Sequence, residues 1–330
     1  MTIHRGVSGS GFILVTGATG FVGRALSCTL AITGDQRVRA AIRRKGPELT
    51  GLVQCVFVPD LTADTDWSSA LMGVSDVVHT AARVHIMRDR TVDPLAEFRR
   101  TNVGGTLGLA RQAAAAGVRR FVFISSVKVN GERTLPGHSF GADDEPHPAG
   151  AYGISKMEAE LGLRELAAAT GMEVVIIRPP LIYGPGVTAN FSAMMRWLQY
   201  GVPLPLGAIY NQRSLVALDN LVDLIAVCLR HPGAANQTFM ISDGEDLSTT
   251  GLLRRLGAAL GKPARLMAMP SWVLSAGAVV VGRRDLAHRL LDSLVVDIDK
   301  TQRVLGWRPP VSVDAGLAGA ARAFLLNAHA

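Results

Sequence analysis

Cysteine is scarce in this chain of 330 residues: Cys28, Cys55 and Cys228 are odd in number, far apart and set in apolar stretches. That argues against a disulfide framework or a thiolate metal site. It reads as buried thiols of a reducing compartment, the cytoplasm. Aromatic residues make up only 5% and do not interleave with the scattered basic pairs Arg99-Arg100, Arg119-Arg120, Arg254-Arg255 and Arg283-Arg284. Without stacking platforms or a single basic stripe, nucleic-acid binding is disfavoured. His79, His85 and His138 lack metal-ligand spacing, so no metal is expected. A secretory signal is also missing, and residues 1–10 read as a loose lead-in. The longest apolar stretch, Met267 to Gly282, is broken by Pro270 and Ser275 and is short for a bilayer span. Its plain reading is a core or substrate-cap helix. Trp272 and the following Arg283-Arg284 leave a membrane-surface helix as the minority reading.

What is present suits a compact enzyme. Apolar residues are 48% and charged residues 18%, and the length suggests one large or two intimate domains. The net charge of +7 fits an anionic cofactor or phosphorylated substrate, with solvated surface for much of the remainder.

Near the start, the apolar run Phe12 to Val15 leads into Thr16-Gly17-Ala18-Thr19-Gly20-Phe21-Val22-Gly23, and a helix-forming stretch, Ala25 to Ile32, follows. A glycine turn between strand and helix suits the pyrophosphate of a dinucleotide. Gly17 permits the tight turn, Gly20 lets the backbone approach the phosphates, and Gly23 lets helix and strand pack. Further strands are expected at Val38–Ile42, Val53–Val58, Val74–His79, Phe121–Ile124 and Glu173–Ile177. Helices are expected at Pro94–Ala116 and Tyr152–Thr170, with a loop from Gly131 to Gly150. This alternation predicts an α/β, Rossmann-like, doubly wound parallel sheet over 11–180, with 216–242 returning to it. Glycine and proline then recur, and 181–215 and 243–330 are expected to form a smaller, partly interleaved substrate-binding unit. That unit would include helices near Thr249–Leu260 and Ala315–Leu326.

Chemistry concentrates in Tyr152-Gly153-Ile154-Ser155-Lys156 and in Ser126 at the end of the fifth strand. Tyr152 and Lys156 are four apart and share a helical face. An ammonium beside a phenol is expected to lower the phenol's pKa from about 10 towards neutrality, suiting it to act as general acid or base on a carbonyl/alcohol pair.

The order and spacing of these motifs resemble the extended short-chain dehydrogenases/reductases, which include nucleotide-sugar epimerases, dehydratases and 4-ketosugar reductases. The likeness also takes in Asp60-Leu61, His79 to Ala82, Asn102 to Thr106, Arg178-Pro179 with Tyr183-Gly184-Pro185, and Leu305 to Pro309. The resemblance implies that Ser126, Tyr152 and Lys156 are catalytic. It implies a cofactor site of Gly17, Thr19, Gly20, Phe21, Val22, Asp60, Leu61, Ala81, Ala82 and Pro179, together with Tyr152 and Lys156. Two departures stand out. Asn130 replaces the family's usual tyrosine before Gly131, and Arg43, followed by Arg44 and Lys45, occupies the place of the acidic residue that binds the ribose diol of NAD. A guanidinium there suits a 2′-phosphate, so NADP(H) is the preferred cofactor, with NAD(H) as the other option. Asn190, Phe191 and Arg213 match places where the family grips a nucleoside diphosphate, and Lys128, on the loop after the catalytic serine, is a further candidate contact with the sugar; Asn190 as a helix N-cap and Arg213 as a surface charge are the plainer readings.

The likeness is strongest to bacterial 4-reductases of UDP-2-acetamido-2,6-dideoxy-hexuloses, enzymes of surface-polysaccharide synthesis. NADPH-dependent reduction of such a UDP-linked ketosugar is therefore the expected activity. The alternative is an NAD-dependent UDP-sugar 4-epimerase. Further alternatives are a reductase of sterol- or flavonol-like ketones and a non-catalytic NADP-binding regulator. Assembly is left open between a monomer and a homodimer.

Overall fold

The computed structural model describes residues 11–33, 37–44, 49, 51–84, 93–280 and 284–328. The lead-in 1–10, Lys45, His85, Gly282 and Arg283 lie outside these residues. In chain order the first half comprises β1 (Phe12–Thr16), α1 (Phe21–Thr33), β2 (Arg37–Ile42), β3 (Val53–Phe57), a single turn α2 (Ser68–Leu71), β4 (Val74–His79) and α3 (Pro94–Phe98). Then follow a π-helical stretch (Arg99–Gly105), α4 (Thr106–Ala115), β5 (Arg120–Ile124), a 3-10 turn (Val127–Val129), α5 (Ala151–Thr170) and β6 (Glu173–Arg178). The second half holds β7 (Leu181–Tyr183), α6 (Ala189–Gln199), β8 (Arg213–Ala217), α7 (Leu218–Arg230), β9 (Thr238–Met240), β10 (Asp246–Leu247) and α8 (Thr249–Ala259). It ends with α9 (Ser271–Val280), α10 (Arg284–Leu291), α11 (Asp299–Leu305) and α12 (Val313–Ala328).

Seven parallel strands form the main sheet in the order β3-β2-β1-β4-β5-β6-β9, a Rossmann-like α/β arrangement. Period-two alternation divides each central strand between two cores. Ile13, Val15, Val122, Ile124, Val175 and Ile177 face the α1/α7 side. Leu14, Phe121, Phe123, Val174 and Ile176 face the side of α2, α4 and α5. The chain reverses direction across the sheet between β1 and β4, which opens a crevice at their carboxyl ends.

Sterics explain the glycine turn. Gly17 has φ +67°, and a Cβ there would come within 2.7 Å of the Ala81 amide; one on Gly23 would overlap the Gly17 carbonyl. Only bare backbone lets α1 begin this close to β1 and β4.

A second, three-stranded sheet, β10-β8-β7, carries the smaller unit, whose core includes Tyr183, Phe191, Met195, Leu253 and Leu317. One assignment needs correction. The segment around α11, placed by sequence in that unit, packs on the main sheet: Leu305 and Trp307 lie in the α1/α7 core, and Trp307 Nε1 donates to Asp223 at 2.7 Å. The loop between Gly131 and Gly150 is straps rather than free coil. Phe140 N donates to Val295 O (2.8 Å) and Thr134 N to Ser293 O (2.9 Å).

Two other expectations change. The long helix from Pro94 is interrupted by the widened π turn, which carries Asn102 inward at 1% exposure. Its amide accepts from Arg83 N (2.8 Å) and donates to Arg83 O (3.1 Å) and Ser155 Oγ (3.1 Å). A polar side chain satisfied on three sides accounts for the inward turn. Of the cysteines, Cys228 is buried and Cys28 partly buried, but Cys55 is exposed because β3 is the sheet's edge strand.

His79, at the end of β4, is fully buried between Thr16 Oγ1 (2.7 Å from Nδ1) and Thr106 Oγ1 (2.9 Å from Nε2), stacked on Phe123. Burial, and then the charge of Lys156, hold its pKa down at about 3. Unfolded, it would titrate near 6.5, so between those values the unfolded chain binds the extra proton and stability falls as pH falls. From pH 7 to pH 5 this one group should remove about 2 kcal/mol. Urea titrations of wild type and His79→Gln check it: the variant should lose less stability over that interval.

Candidate active site

α5 begins against the turn after β5, and sequence explains why it can. A Cβ on Gly153 would lie 2.6 Å from the Lys128 carbonyl, so glycine lets the first turn of α5 rest on that backbone. This sets the first turn of α5, with Tyr152, against the turn that begins at Ser126, and Lys156 at the carboxyl end of β5. Ser126 is partly exposed, and its Oγ accepts from Lys128 N at 3.2 Å, which leaves its O–H free to donate to a ligand. The Tyr152 ring meets the edge of Phe98 at 6.0 Å. Lys156 is 2% exposed, its Nζ donates to Ile124 O at 2.7 Å, and it lies 4.2 Å from the centre of the Phe123 ring.

Electrostatics corrects one expectation. Burial lowers Lys156 to about 7, against the opposing charge of Glu160, and burial raises Tyr152 to about 12. The ammonium spends its hydrogen bond on the Ile124 carbonyl rather than on the phenol, so desolvation outweighs any lowering of the phenol's pKa. Tyr152 is thereby held protonated near neutrality, as a proton donor requires.

Beneath this pair runs a network that sequence reasoning did not assign. Glu160, one turn beyond Lys156, is fully buried and bridged bidentately by Arg178 (Nε to Oε1 2.9 Å, Nη2 to Oε2 2.6 Å). Ser125 Oγ donates to Glu160 Oε1 (2.5 Å), and Arg164 reaches Oε2 (3.0 Å). Arg178 Nη1 also donates to Asn130 Oδ1 (3.0 Å), and Asn130 Nδ2 donates to Gly141 O (3.0 Å). So Asn130, 2% exposed, anchors the 131–150 loop from within. Sequence holds only a trace of it, too weak to assign roles: an acid at i+4 from Lys156, and an arginine closing a strand whose middle is apolar.

The remaining predicted residues lie as follows. Gly17, Thr19, Gly20, Phe21 and Val22 form the turn and the N-terminus of α1, where first-turn amides face the crevice. Ala81, Ala82 and Pro179 follow the ends of β4 and β6. Arg43 and Arg44 are exposed just past β2. Asp60 is exposed and accepts from Leu61 N (2.8 Å), while Leu61 is buried against Gly105. On the turn after β5, Lys128 pairs with Glu132 at 2.9 Å. Asn190 is exposed in the first turn of α6, whose N-cap is Thr188. Phe191 is 2% exposed and stacks on Tyr183 at 5.5 Å, a packing position rather than an open pocket wall. Arg213 is partly buried, donates to Asp292 O at 3.0 Å and meets no carboxylate at ion-pair distance among the described residues. Burial lowers its pKa.

A glycine turn after β1 that excludes side chains, a helix N-terminus behind it and a Ser/Tyr/Lys set at the end of β5, two strands away, fit a dinucleotide and a hydroxyl- or carbonyl-bearing substrate. The pattern of the NAD dependent epimerase/dehydratase family matches residues 13–242. The chain belongs to that family. It is 47% identical over 314 residues to a UDP-glucose 4-epimerase of Vibrio cholerae, covering 95% of both chains. It is 30% identical to an Escherichia coli O157:H7 N-acetyl-alpha-D-glucosaminyl-diphospho-ditrans,octacis-undecaprenol 4-epimerase, over 78% of this chain and 75% of that one. Among solved structures, MoeE5 in complex with UDP-glucuronic acid and NAD superposes with TM-score 0.76 at 26% identity, covering 96% of this chain and all of that one. The UDP-glucuronic acid 4-epimerase from Bacillus cereus with NAD, at 19% identity and TM-score 0.74 over 96% of this chain and 99% of that one, supports the fold alone. No described helix is long and apolar enough to cross a membrane.

In this family member the Glu160–Arg178 pair holds the helix that carries Lys156. Removing Arg178 leaves the buried Glu160 carboxylate with only the partly exposed Arg164 at ion-pair distance among the described residues, so Arg178→Met should destabilise the protein by about 3 kcal/mol, whereas Glu160→Gln/Arg178→Met should recover part of that loss. Denaturant midpoints of the single and double variants measure both.

Proposed function

We propose that the protein is a UDP-hexose 4-epimerase that retains NAD through each turnover. The observation that carries this reading is the 47% identity to a UDP-glucose 4-epimerase across 95% of both chains. It weighs for the epimerase and against the 4-ketoreductase suggested by the longer sequence likeness. Solved relatives carry NAD, the 26% identical MoeE5 among them, which weighs against the NADP(H) preference read from Arg43.

The residues suit the chemistry. Bound NAD would accept and return the hydrogen of the sugar's C4, and its positive ring would favour the phenolate. Tyr152 Oη would take the proton of the C4 hydroxyl and later return it to the oxygen after the ketone has turned its other face. Ser126 Oγ–H would hold that oxygen in both directions. Lys156 would bring a cation towards the phenol and offset the burial that holds it near 12. Arg213, a cation with no carboxylate at ion-pair distance among the described residues, would meet the diphosphate; Lys128 and Asn190 would contribute at the edge.

Purified protein given UDP-galactose and no added cofactor should form UDP-glucose, with no net change in nicotinamide absorbance. Consumption of NADPH with a UDP-4-ketosugar, without interconversion of the two hexoses, would instead establish the reductase. Tyr152→Phe should lower kcat by about 10²–10⁴-fold. Arg213→Ala should raise KM more than it lowers kcat, because it removes binding common to ground and transition states.

A further inference from the structure

α9 has the sequence Ser-Trp-Val-Leu-Ser-Ala-Gly-Ala-Val-Val, with no charged residue, yet it lies on the surface. Trp272 is 73% exposed, and Ser275, Ala276, Gly277 and Val279 are exposed further along it. An uncharged helix is normally buried, so this face lacks its partner. The ten described residues of α9 span about 15 Å, half of a hydrocarbon core, and no described helix is long and apolar enough to cross a bilayer, so α9 suits lying on a surface.

The neighbouring chain extends the same ledge. The segment before α9 pairs with the chain after α6: Leu204 N donates to Arg265 O, Met267 N to Leu204 O, and Gly207 N to Met267 O, each at 2.9 Å. Along these paired segments Trp197, Tyr200, Val202, Tyr210 and Met267 are exposed, Tyr200 by 78% and Tyr210 by 85%. Trp and Tyr, apolar bodies with a polar tip, are the side chains that settle at the boundary of acyl chains and headgroups.

Charge selects the kind of surface. From Val174 to Leu218 and from Leu247 to Arg284 the sequence contains no acidic residue. Within these stretches Arg196, Lys262 and Arg265 are exposed, and none forms an ion pair with a described residue. Arg265 lies beside Gly201, next to Tyr200 and Val202. Exposed aromatics with Arg265 beside the Tyr200 turn, and further exposed cations in the same acid-free stretches, complement an anionic lipid headgroup layer.

We propose that the ledge formed by α9 and the chain around Tyr200 and Tyr210 docks this protein reversibly on anionic phospholipid bilayers. The docking is peripheral, with Trp272 and the tyrosines in the interface and Arg196, Lys262 and Arg265 over the headgroups. It is independent of the sugar chemistry proposed above.

Flotation of the full chain with lipid vesicles tests it. At low salt the protein should float with vesicles of phosphatidylcholine and phosphatidylglycerol, and much less with phosphatidylcholine alone or at high salt. Trp272→Ser should weaken partition about tenfold, and Arg265→Glu about fivefold or more, both with unchanged thermal midpoints because the two side chains are exposed. Failure to float with the anionic vesicles would overturn the proposal, as would flotation unaffected by both substitutions. So would light scattering that shows a dimer which Trp272→Ser converts to monomer, since a second copy would then cover the ledge.

Discussion

A buried ion pair organises the catalytic end of this protein. Glu160 on α5 and Arg178 at the end of β6 are almost wholly withdrawn from water, and such charges persist when each of their oxygens and nitrogens finds a partner. Here they do: Ser125, Arg164, Asn130 and the Ala142 carbonyl complete the set. The pair therefore ties together a helix, two strand ends and the 131–150 loop. Moving any one of these would strand a charge. This rigidity sets where α5 points Lys156 and Tyr152.

The same burial shapes the reactive groups above it. Desolvation lowers the lysine to about 7 and raises the tyrosine to about 12, so the dry pocket opposes the charged form of each. A phenol in that state keeps its proton near neutrality, and it can act as a base only where nearby positive charge favours the phenolate. The glycine turn contributes to the other side of the crevice. Its missing side chains bring α1's free amides, and the positive end of its dipole, to where phosphates would lie. Groups suited to proton transfer and to anion binding thus lie at the ends of β5 and β1, with β4 between them in one sheet.

Much of the larger unit was legible because its strands are buried on both faces and its helices follow at short intervals. Val74–His79 appears in the structure with the same bounds, and α5 differs by one residue at its start. Short elements were not legible. β7, β8 and β10 have two to five residues, and their pairing comes from distant partners rather than local pattern. α6 and α11 were hidden among glycine- and proline-rich neighbours. At the site, Tyr152 and Lys156 could be singled out by spacing and Ser126 by its likeness to the family's pattern, and the chain belongs to the NAD dependent epimerase/dehydratase family. Glu160, Arg178 and Asn130 could not, since their roles arise only when 18 to 48 residues of separation collapse to hydrogen-bond length.

Local pattern alone determined the glycine turn, the alternation of strands and helices, and the shared helical face of Tyr152 and Lys156, because each follows from backbone sterics or a period of two or 3.6 residues. Tertiary structure decided the rest. It turned Lys156 to the Ile124 carbonyl instead of the phenol, buried Phe191 and left Cys55 in solvent, and it left α9 uncovered at the surface. Burial is a property of what packs against a residue, and the order of residues along the chain does not contain it.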